Sequence, residues 1–307
     1  MMKIGVDIGG TKCAVVCGDE NGIARKIRFA TLSKDETVPK IIDAIRELGG
    51  GESIGISCGG PLDAERGCIL SPPNLIGWDN VPITKILGDA FGVPAYLCND
   101  ADACALAEWQ YGAGKGTANM IFLTFGTGMG AGLILGGRLY RGSCGMAGEI
   151  GHMRMSPFGP TGYGKAGSFE GFCSGGGIAQ LGQTLALEKL QRGETLPYCK
   201  DKRELGGITA KILADHARLG DETAMETYRL CGEKLGEGLS VLIDVLNPQT
   251  IVIGSIFARA EDLLREPMER ALKREALAFS LGRCKIVPAA LGEQIGDYAA
   301  LSVAYGV

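Results

Sequence analysis

Two short runs combine glycine, threonine and an acid or base in the way that polyphosphate binding requires. Asp7-Ile8-Gly9-Gly10-Thr11-Lys12 lies between two apolar runs, and Gly126-Thr127-Gly128-Met129-Gly130 lies between two more. A turn without side chains exposes backbone N–H groups that can surround phosphate oxygens. Thr11 adds a hydroxyl donor and Lys12 a cation. Asp7 suits Mg²⁺ held through water, since Mg²⁺ keeps most of its waters and takes few carboxylates. A glycine hairpin capped by Asp7 would use the same residues with no ligand, and the run alone does not separate the two readings. The second run also fits Gly-x-Gly-x-x-Ala through Ala131. A dinucleotide fingerprint, however, needs a helix after its glycines. Gly132-Leu133-Ile134-Leu135-Gly136-Gly137 follows instead, which is too glycine-rich and β-like. A nicotinamide dehydrogenase is thereby left as an outside reading, testable by NAD binding. The sequence holds no Gly-x-x-x-x-Gly-Lys-Ser/Thr run, so a Walker P-loop has no support.

A second set of residues suits a hydroxyl-bearing acceptor. Asn99-Asp100 closes a strand-like run and opens a helix-like one. Both residue types favour helix N-caps, so capping alone accounts for them; the helix dipole also stabilises a carboxylate there. Glu149 and His152 in Gly148-Glu149-Ile150-Gly151-His152 are three positions apart, which a turn of helix places on one face. Glu170 stands among glycines ahead of Ser174-Gly175-Gly176-Gly177. Acids converging on a pocket suit polyols, because each hydroxyl both donates and accepts. The other histidine, His216, sits between Asp215 and Arg218 and reads as part of an exposed helix face.

The elements that would position these residues follow from periodicity. Residues 3–16 read as strand, turn, strand, and Asn21-Gly22 is a hairpin-turn signal. Ile41, Ile42, Ile45 and Leu48 predict a helix over 38–48. A strand at 54–58 runs into Gly59-Gly60-Pro61, a helix is expected over 83–91, a strand over 95–98 and a helix over 99–109. Strands at 119–124 and 131–135 flank the second glycine turn. Helices are expected over 176–188, within 208–246 and within 261–277, a strand over 250–253, and a last helix over about 297–303. The two strand–turn–strand units resemble one another, as an internal duplication would produce.

Length and composition set the frame. At roughly 150 residues per domain, 307 residues suggest two lobes. We expect an N-terminal lobe over 1–112, a break near 112–116, a C-terminal lobe over 113–293, and a helix at about 294–307 that packs back on the first lobe. Apolar residues make up 46% and charged residues 21%, enough to build a core and unlike a disordered chain. The net charge of -4 gives nucleic acid no electrostatic support, while local backbone donors can still hold a small anion. The 11 cysteines are odd in number, scattered and without a Cys-x-x-Cys pair, which reads as a reducing compartment rather than a disulfide framework. Met1-Met2-Lys3 leads into a strand-like run rather than a signal segment, and no apolar run reaches the ~18 residues of a membrane span. A cytoplasmic protein with no membrane partner is expected.

Taken in order, these motifs resemble the ROK family of bacterial sugar kinases and repressors along nearly the whole chain. Asp7 to Lys12 resembles the family's first phosphate motif and Gly126 to Gly130 its second. Gly59-Gly60-Pro61-Leu62-Asp63 resembles the Pro-Gly-Pro-x-Asp sugar loop, with Gly59 in place of the first proline. Pro73-Asn74-Leu75-Ile76-Gly77-Trp78, Asn99-Asp100-Ala101-Asp102-Ala103 and Ala147-Gly148-Glu149-Ile150-Gly151-His152 fit as well. The resemblance implies an α/β, two-lobed actin-like ATPase (ribonuclease H-like) fold with ATP and sugar in the interlobe cleft. It implies Asp100 as catalytic base and Gly60, Asn99, Asp100, Glu149, His152 and Glu170 as sugar-binding residues. Gly9, Gly10, Thr11, Lys12, Thr127 and Gly128 would contact ATP, with Mg²⁺ near Asp7. Gly254 would approach the adenosine, although Gly254-Ser255-Ile256 departs from the family's Gly-Gly-Gly. Many members carry Cys-x-Cys-Gly-x-x-Gly-Cys-x-Glu, whose cysteines bind structural zinc with the signature histidine. Here Thr161, Tyr163 and Ser168 take the cysteine positions and only His152 survives, so no zinc site is expected.

The implied reaction is transfer of the ATP γ-phosphoryl group to a hexose hydroxyl, the 6-OH, with glucose first among acceptors. N-acetylmannosamine, N-acetylglucosamine, fructose, mannose and allose are alternatives, as is a non-catalytic sugar-binding member. A repressor is disfavoured, since the first phosphate motif begins within ten residues of Met1. Another actin-like ATPase, such as an acetate kinase or chaperone, is disfavoured by the Glu149, His152 and Glu170 set. A homodimer is implied.

Overall fold

A computed structural model describes residues 1–306. In chain order its elements begin with β1 (Lys3–Ile8), β2 (Lys12–Asp19), β3 (Gly22–Ala30), α1 (Lys34–Leu48), β4 (Ile54–Cys58), β5 (Leu62–Asp63), β6 (Cys68–Ile69), α2 (Ile83–Phe91), β7 (Ala95–Asn99) and α3 (Asp100–Gln110). They continue with β8 (Met120–Phe125), β9 (Met129–Leu135), β10 (Arg138–Tyr140), β11 (Thr161–Gly162), β12 (Lys165–Ala166), α4 (Phe169–Phe172), α5 (Gly175–Gln191), α6 (Ala210–Arg218), α7 (Glu222–Leu246), β13 (Thr250–Ile253), α8 (Ile256–Glu275), α9 (Ala278–Leu281), β14 (Lys285–Pro288) and α10 (Ile295–Val303).

Two five-stranded sheets run in the orders β3-β2-β1-β4-β7 and β10-β9-β8-β13-β14. Counted along the chain, both are third, second, first, fourth, fifth. The resemblance of the two strand–turn–strand units thus extends to the whole sheets. In the first sheet β1, β2 and β3 form an antiparallel meander, and β4 and β7 add in parallel. Parallel neighbours need a crossover, which α1 supplies between β3 and β4 and α2 between β6 and β7. β4 is buried along its whole length and β1 along most of it, which accounts for their near-continuous apolar sequence.

The chain divides into two compact units. The first comprises Met1–Phe122, Gly132–Ala147 and the segment from Ala290 to the C-terminus; the second comprises Leu123–Ala131 and Gly148–Ala289. Within the first unit α10 packs on β1, β4 and α3. Glycine makes that possible: a Cβ on Gly5 would lie 2.5 Å from the Leu301 nitrogen, and one on Gly55 2.2 Å from the Ala304 nitrogen. The buried Glu108 carboxylate holds the same unit together, accepting from the N–H groups of Ala113 (2.8 Å), Ala290 (3.2 Å) and Leu291 (2.9 Å).

Most expected elements are present, with informative differences. α1 begins at Lys34 rather than 38, because Ser33 opens the helix ahead of Pro39 and the Ser33 carbonyl accepts from Thr37 N–H. α8 begins at Ile256, with non-helical backbone at Ala260 that breaks its early periodicity. Glu149-His152 is not an α-helical turn: Ile150–His152 is a single 3₁₀ turn with Glu149 just before it. Among the described residues no helix is long and apolar enough to cross a membrane.

Candidate active site

The first glycine turn joins β1 to β2. Gly9 N–H donates to the Lys12 carbonyl at 3.0 Å, and the Thr31 hydroxyl and N–H anchor the Gly9 and Thr11 carbonyls at 2.7 and 3.1 Å. The outer edge, Gly10, Thr11 and Lys12, is exposed. Gly10 is held to glycine by its surroundings, since a Cβ would lie 2.7 Å from the Asn74 carbonyl oxygen. Under this turn is a cavity of about 230 Å³ lined by Asp7, Gly9, Thr11, Lys12, Ala14 and Arg28. Burial pushes the Asp7 carboxyl up to about 6, helped by the charges of Asp297 and Asp100 and opposed by Lys26 and Arg28.

Asp100 stands on the same unit. The Asn99 side chain caps α3, accepting from Ala101 N–H at 2.9 Å, while the Asp100 carboxylate accepts from the same N–H at 2.8 Å. Capping and a reactive carboxylate are therefore compatible: Asn99 does the capping and Asp100 projects at the helix start. Asp100 is exposed, yet the crowding around it raises its carboxyl above the usual range, against the lowering effect of the backbone N–H groups. The loop Gly59-Gly60, followed by a cis bond to Pro61, passes alongside. A Cβ on Gly59 would lie 3.8 Å from Asp100 Oδ2, and one on Gly60 3.6 Å from Asn99 Nδ2. The first unit thus brings together Gly60, Asn99 and Asp100, and the Asp100 charge reaches Asp7.

The second unit carries the other turn. Gly126 N–H donates to the Gly128 carbonyl at 3.1 Å, and Thr124 Oγ1 accepts from Gly130 N–H at 2.9 Å. Thr127 is exposed at the tip. Glu170, in the first turn of α4, accepts from Met129 N–H at 3.0 Å, and a Cβ on Gly128 would lie 2.8 Å from its Oε2. Glu170 is therefore tied to the Thr127-Gly128 turn. The signature run packs on the same place: Ala131 N–H donates to the Gly148 carbonyl at 2.8 Å, and a Cβ on Gly151 would lie 2.2 Å from the Met129 carbonyl oxygen. Glu149 and His152 are exposed, and the His152 ring is edge-on to Tyr163 at 6.1 Å. The His216 ring lies 4.7 Å from that of Tyr198, tilted by 51°.

A larger cavity of about 730 Å³ adjoins the second turn. Its walls include Gly126, Thr127, Gly175, Gly176, Ser255 and Tyr228. It gathers the starts of three helices: α5, capped by Ser174; α6, capped by Thr209; and α8, which follows Ser255. Helix N-termini favour anions, and the volume suits a nucleotide-sized ligand. Gly254 is itself buried, its N–H donating to the Leu123 carbonyl at 2.9 Å. Ser255 meets the cavity instead, with a left-handed φ of 53°. Sequence reasoning missed the walls from α6 and α7. The one available signal was the glycine run after Ser174.

The positions in register with the zinc cysteines do other work. Tyr163 and Gly164 form the turn between β11 and β12, Thr161 N–H donates to Gln180 at 2.9 Å while Gln180 donates back to the Thr161 carbonyl at 3.0 Å, and Ser168 caps α4. Hydroxyls and a phenol do not suit zinc. Among the described residues no group of three or more His, Cys, Asp or Glu could hold a metal ion.

The model of the ROK family matches residues 3–305. A glucokinase of Streptomyces coelicolor is 33% identical over 98% of this chain and 95% of its own length. The ROK hexokinase of Thermus thermophilus superposes with a TM-score of 0.82 at 30% identity, covering 99% of this chain and 98% of that one. A ROK family glucokinase from Streptomyces griseus, solved with glucose and AMPPNP, superposes with a TM-score of 0.75 at 29% identity over the whole of both chains. The fold is the actin-like ATPase fold of these sugar kinases, and the chain belongs to the ROK family.

Proposed function

We propose that this protein transfers the γ-phosphoryl group of ATP to a hydroxyl of a hexose, with glucose the first acceptor to test and the 6-OH the first position. The observation that carries this reading is the Asp100 carboxylate at the start of α3, beside Gly59, with Gly60 beside the Asn99 amide, and within electrostatic reach of the Asp7 cavity. A base must lie within hydrogen-bond distance of the hydroxyl it deprotonates. A carboxylate projecting beside an open glycine loop leaves room for that hydroxyl. Its raised pKa also makes it a better proton acceptor than an ordinary carboxylate. Gly60, Asn99, Glu149, His152 and Glu170 are the residues we propose for sugar binding.

Gly9, Gly10, Thr11, Lys12, Thr127 and Gly128 would take the phosphates, and the 730 Å³ cavity beside Ser255 would take the nucleoside. Asp7 beside the Thr11 hydroxyl is a hard oxygen set that fits Mg²⁺ held through water. When bound, Mg²⁺ neutralises phosphate charge as the group transfers. Lys12 would orient the phosphates, and Asp100 would take the acceptor proton. Much of such catalysis is positioning, which rigid glycine turns provide.

The test is ADP release from MgATP across glucose, fructose, mannose, allose and the two N-acetylhexosamines. Turnover with one sugar supports the kinase and names its acceptor. Nucleotide binding without turnover on any sugar would favour the non-catalytic sugar-binding alternative. We propose a cytoplasmic homodimer, checked by sedimentation.

A further inference from the structure

The geometry points to Arg28 as a phosphate-binding residue, a second cation that lines, with Lys12, the cavity beneath the Gly9-Gly10 turn. The inference rests on the nucleotide reading of that turn. It arises from strand register. Asp7 pairs with Ala14 across β1 and β2, and Ala14 pairs with Arg28 across β2 and β3. Asp7, Ala14 and Arg28 therefore form one row on one face of the sheet, since directly opposed residues in adjacent strands point to the same side. All three line the cavity of about 230 Å³, with Gly9, Thr11 and Lys12. The middle of the row is alanine, so no large side chain separates Asp7 from Arg28, and the open volume lies there.

A cation on an edge strand would ordinarily swing into solvent. Here the buried Asp297 carboxylate, at the start of α10, faces this end of the sheet and forms an ion pair with Lys26. The Arg28 guanidinium lies 3.9 Å from the same carboxylate, close enough for attraction but longer than a hydrogen bond. Arg28 is thus drawn inward without being tied down, and its planar fork keeps donors available for phosphate oxygens. The cavity would otherwise offer one cation, Lys12, against the Asp7 carboxylate. Arg28 gives the lining a second cation beside Lys12. Asp297 is a positioning residue in this scheme, because it acts on phosphate only through Arg28.

The test is calorimetric titration of wild-type protein, Arg28→Ala and Arg28→Lys with MgATP, inorganic triphosphate and adenosine. Arg28 is half exposed, so screening trims the effect of a charged hydrogen bond to roughly tenfold. Arg28→Ala should weaken MgATP and inorganic triphosphate by about that factor and leave adenosine unchanged, with Arg28→Lys recovering part of the loss. Added salt should narrow the gap. Unchanged MgATP affinity in Arg28→Ala overturns the assignment alone. An equal loss for adenosine also overturns it, by showing general distortion. Wild-type protein that binds neither MgATP nor inorganic triphosphate overturns the nucleotide reading as well.

Discussion

Replacing Asp7 by asparagine should make the ligand-free protein more stable at neutral pH. The Asp7 carboxyl is pushed from 3.8 up to about 6, chiefly by burial and then by the charges of Asp297 and Asp100. A folded-state pKa above the unfolded value means that the native state binds the proton more tightly. The stabilising contribution is present in full below about 4 and is lost as pH rises through about 6. A shift of about two units corresponds to about 3 kcal/mol at ~1.36 kcal/mol per unit. Above pH 7 the protein therefore holds an ionised carboxylate where a neutral group would be more comfortable. Asparagine has nearly the same shape without the charge. Urea melts of Mg²⁺- and nucleotide-free protein from pH 4.5 to 8 should show Asp7→Asn more stable by up to about 3 kcal/mol at pH 8, with the gap closing toward pH 4.5. The same variant should bind MgATP more weakly, because Asp7 is the carboxylate proposed to hold Mg²⁺ through water. Asp7→Asn no more stable than wild type at pH 8, or a gap independent of pH, would refute this reasoning. Stability traded for a charged group at a working position is a recurrent pattern.

Three further outcomes test other parts of the site. Asp100→Asn should keep sugar binding and lose roughly 10²- to 10⁴-fold in turnover, the usual contribution of a positioned base; near-normal ADP release would remove Asp100 from that role. Glu108→Ala should cost about 3 kcal/mol in a denaturant melt, since it strips three part-buried backbone N–H groups of their acceptor. Glu170→Gln should keep the bond from Met129 N–H and near-normal stability, whereas Glu170→Ala should lose about 1–2 kcal/mol; sugar affinity should fall in both, and affinity unchanged in Glu170→Gln would confine Glu170 to holding the turn.

The glycine turns and Asn99-Asp100 were legible in the sequence because local chemistry defines them. A turn that must leave N–H groups open needs glycine, and a helix that begins in a site needs a cap. Glu170 was legible as a residue but not as a partner of Met129 N–H, because that bond joins elements far apart in the chain. The same limit hid the 730 Å³ cavity, whose walls come from the starts of α5, α6 and α8, and from α7. None of those helices announces by its own periodicity that its end faces a common space. Register is harder still to read. β3 is half exposed and mixed in pattern, so nothing local says that Arg28, rather than Arg25 or Lys26, falls in line with Asp7.

That difference bears on how the site is divided between necessity and adjustment. Gly10 is fixed by the Asn74 backbone, and Gly148, with φ 91°, by the Ala131 carbonyl 1.9 Å from where a Cβ would sit. Substitution at either has no cheap relief, because the obstructing atoms are backbone. Arg28, Lys26 and Asp297 stand differently. They meet through side chains on an edge strand and a helix start, where one residue can change without moving the sheet. On the proposed reading the turns would set where phosphate binds, while the β3–α10 charges would set how tightly. Variants at the turns should fail by losing binding altogether, and variants at the charges should grade affinity in steps.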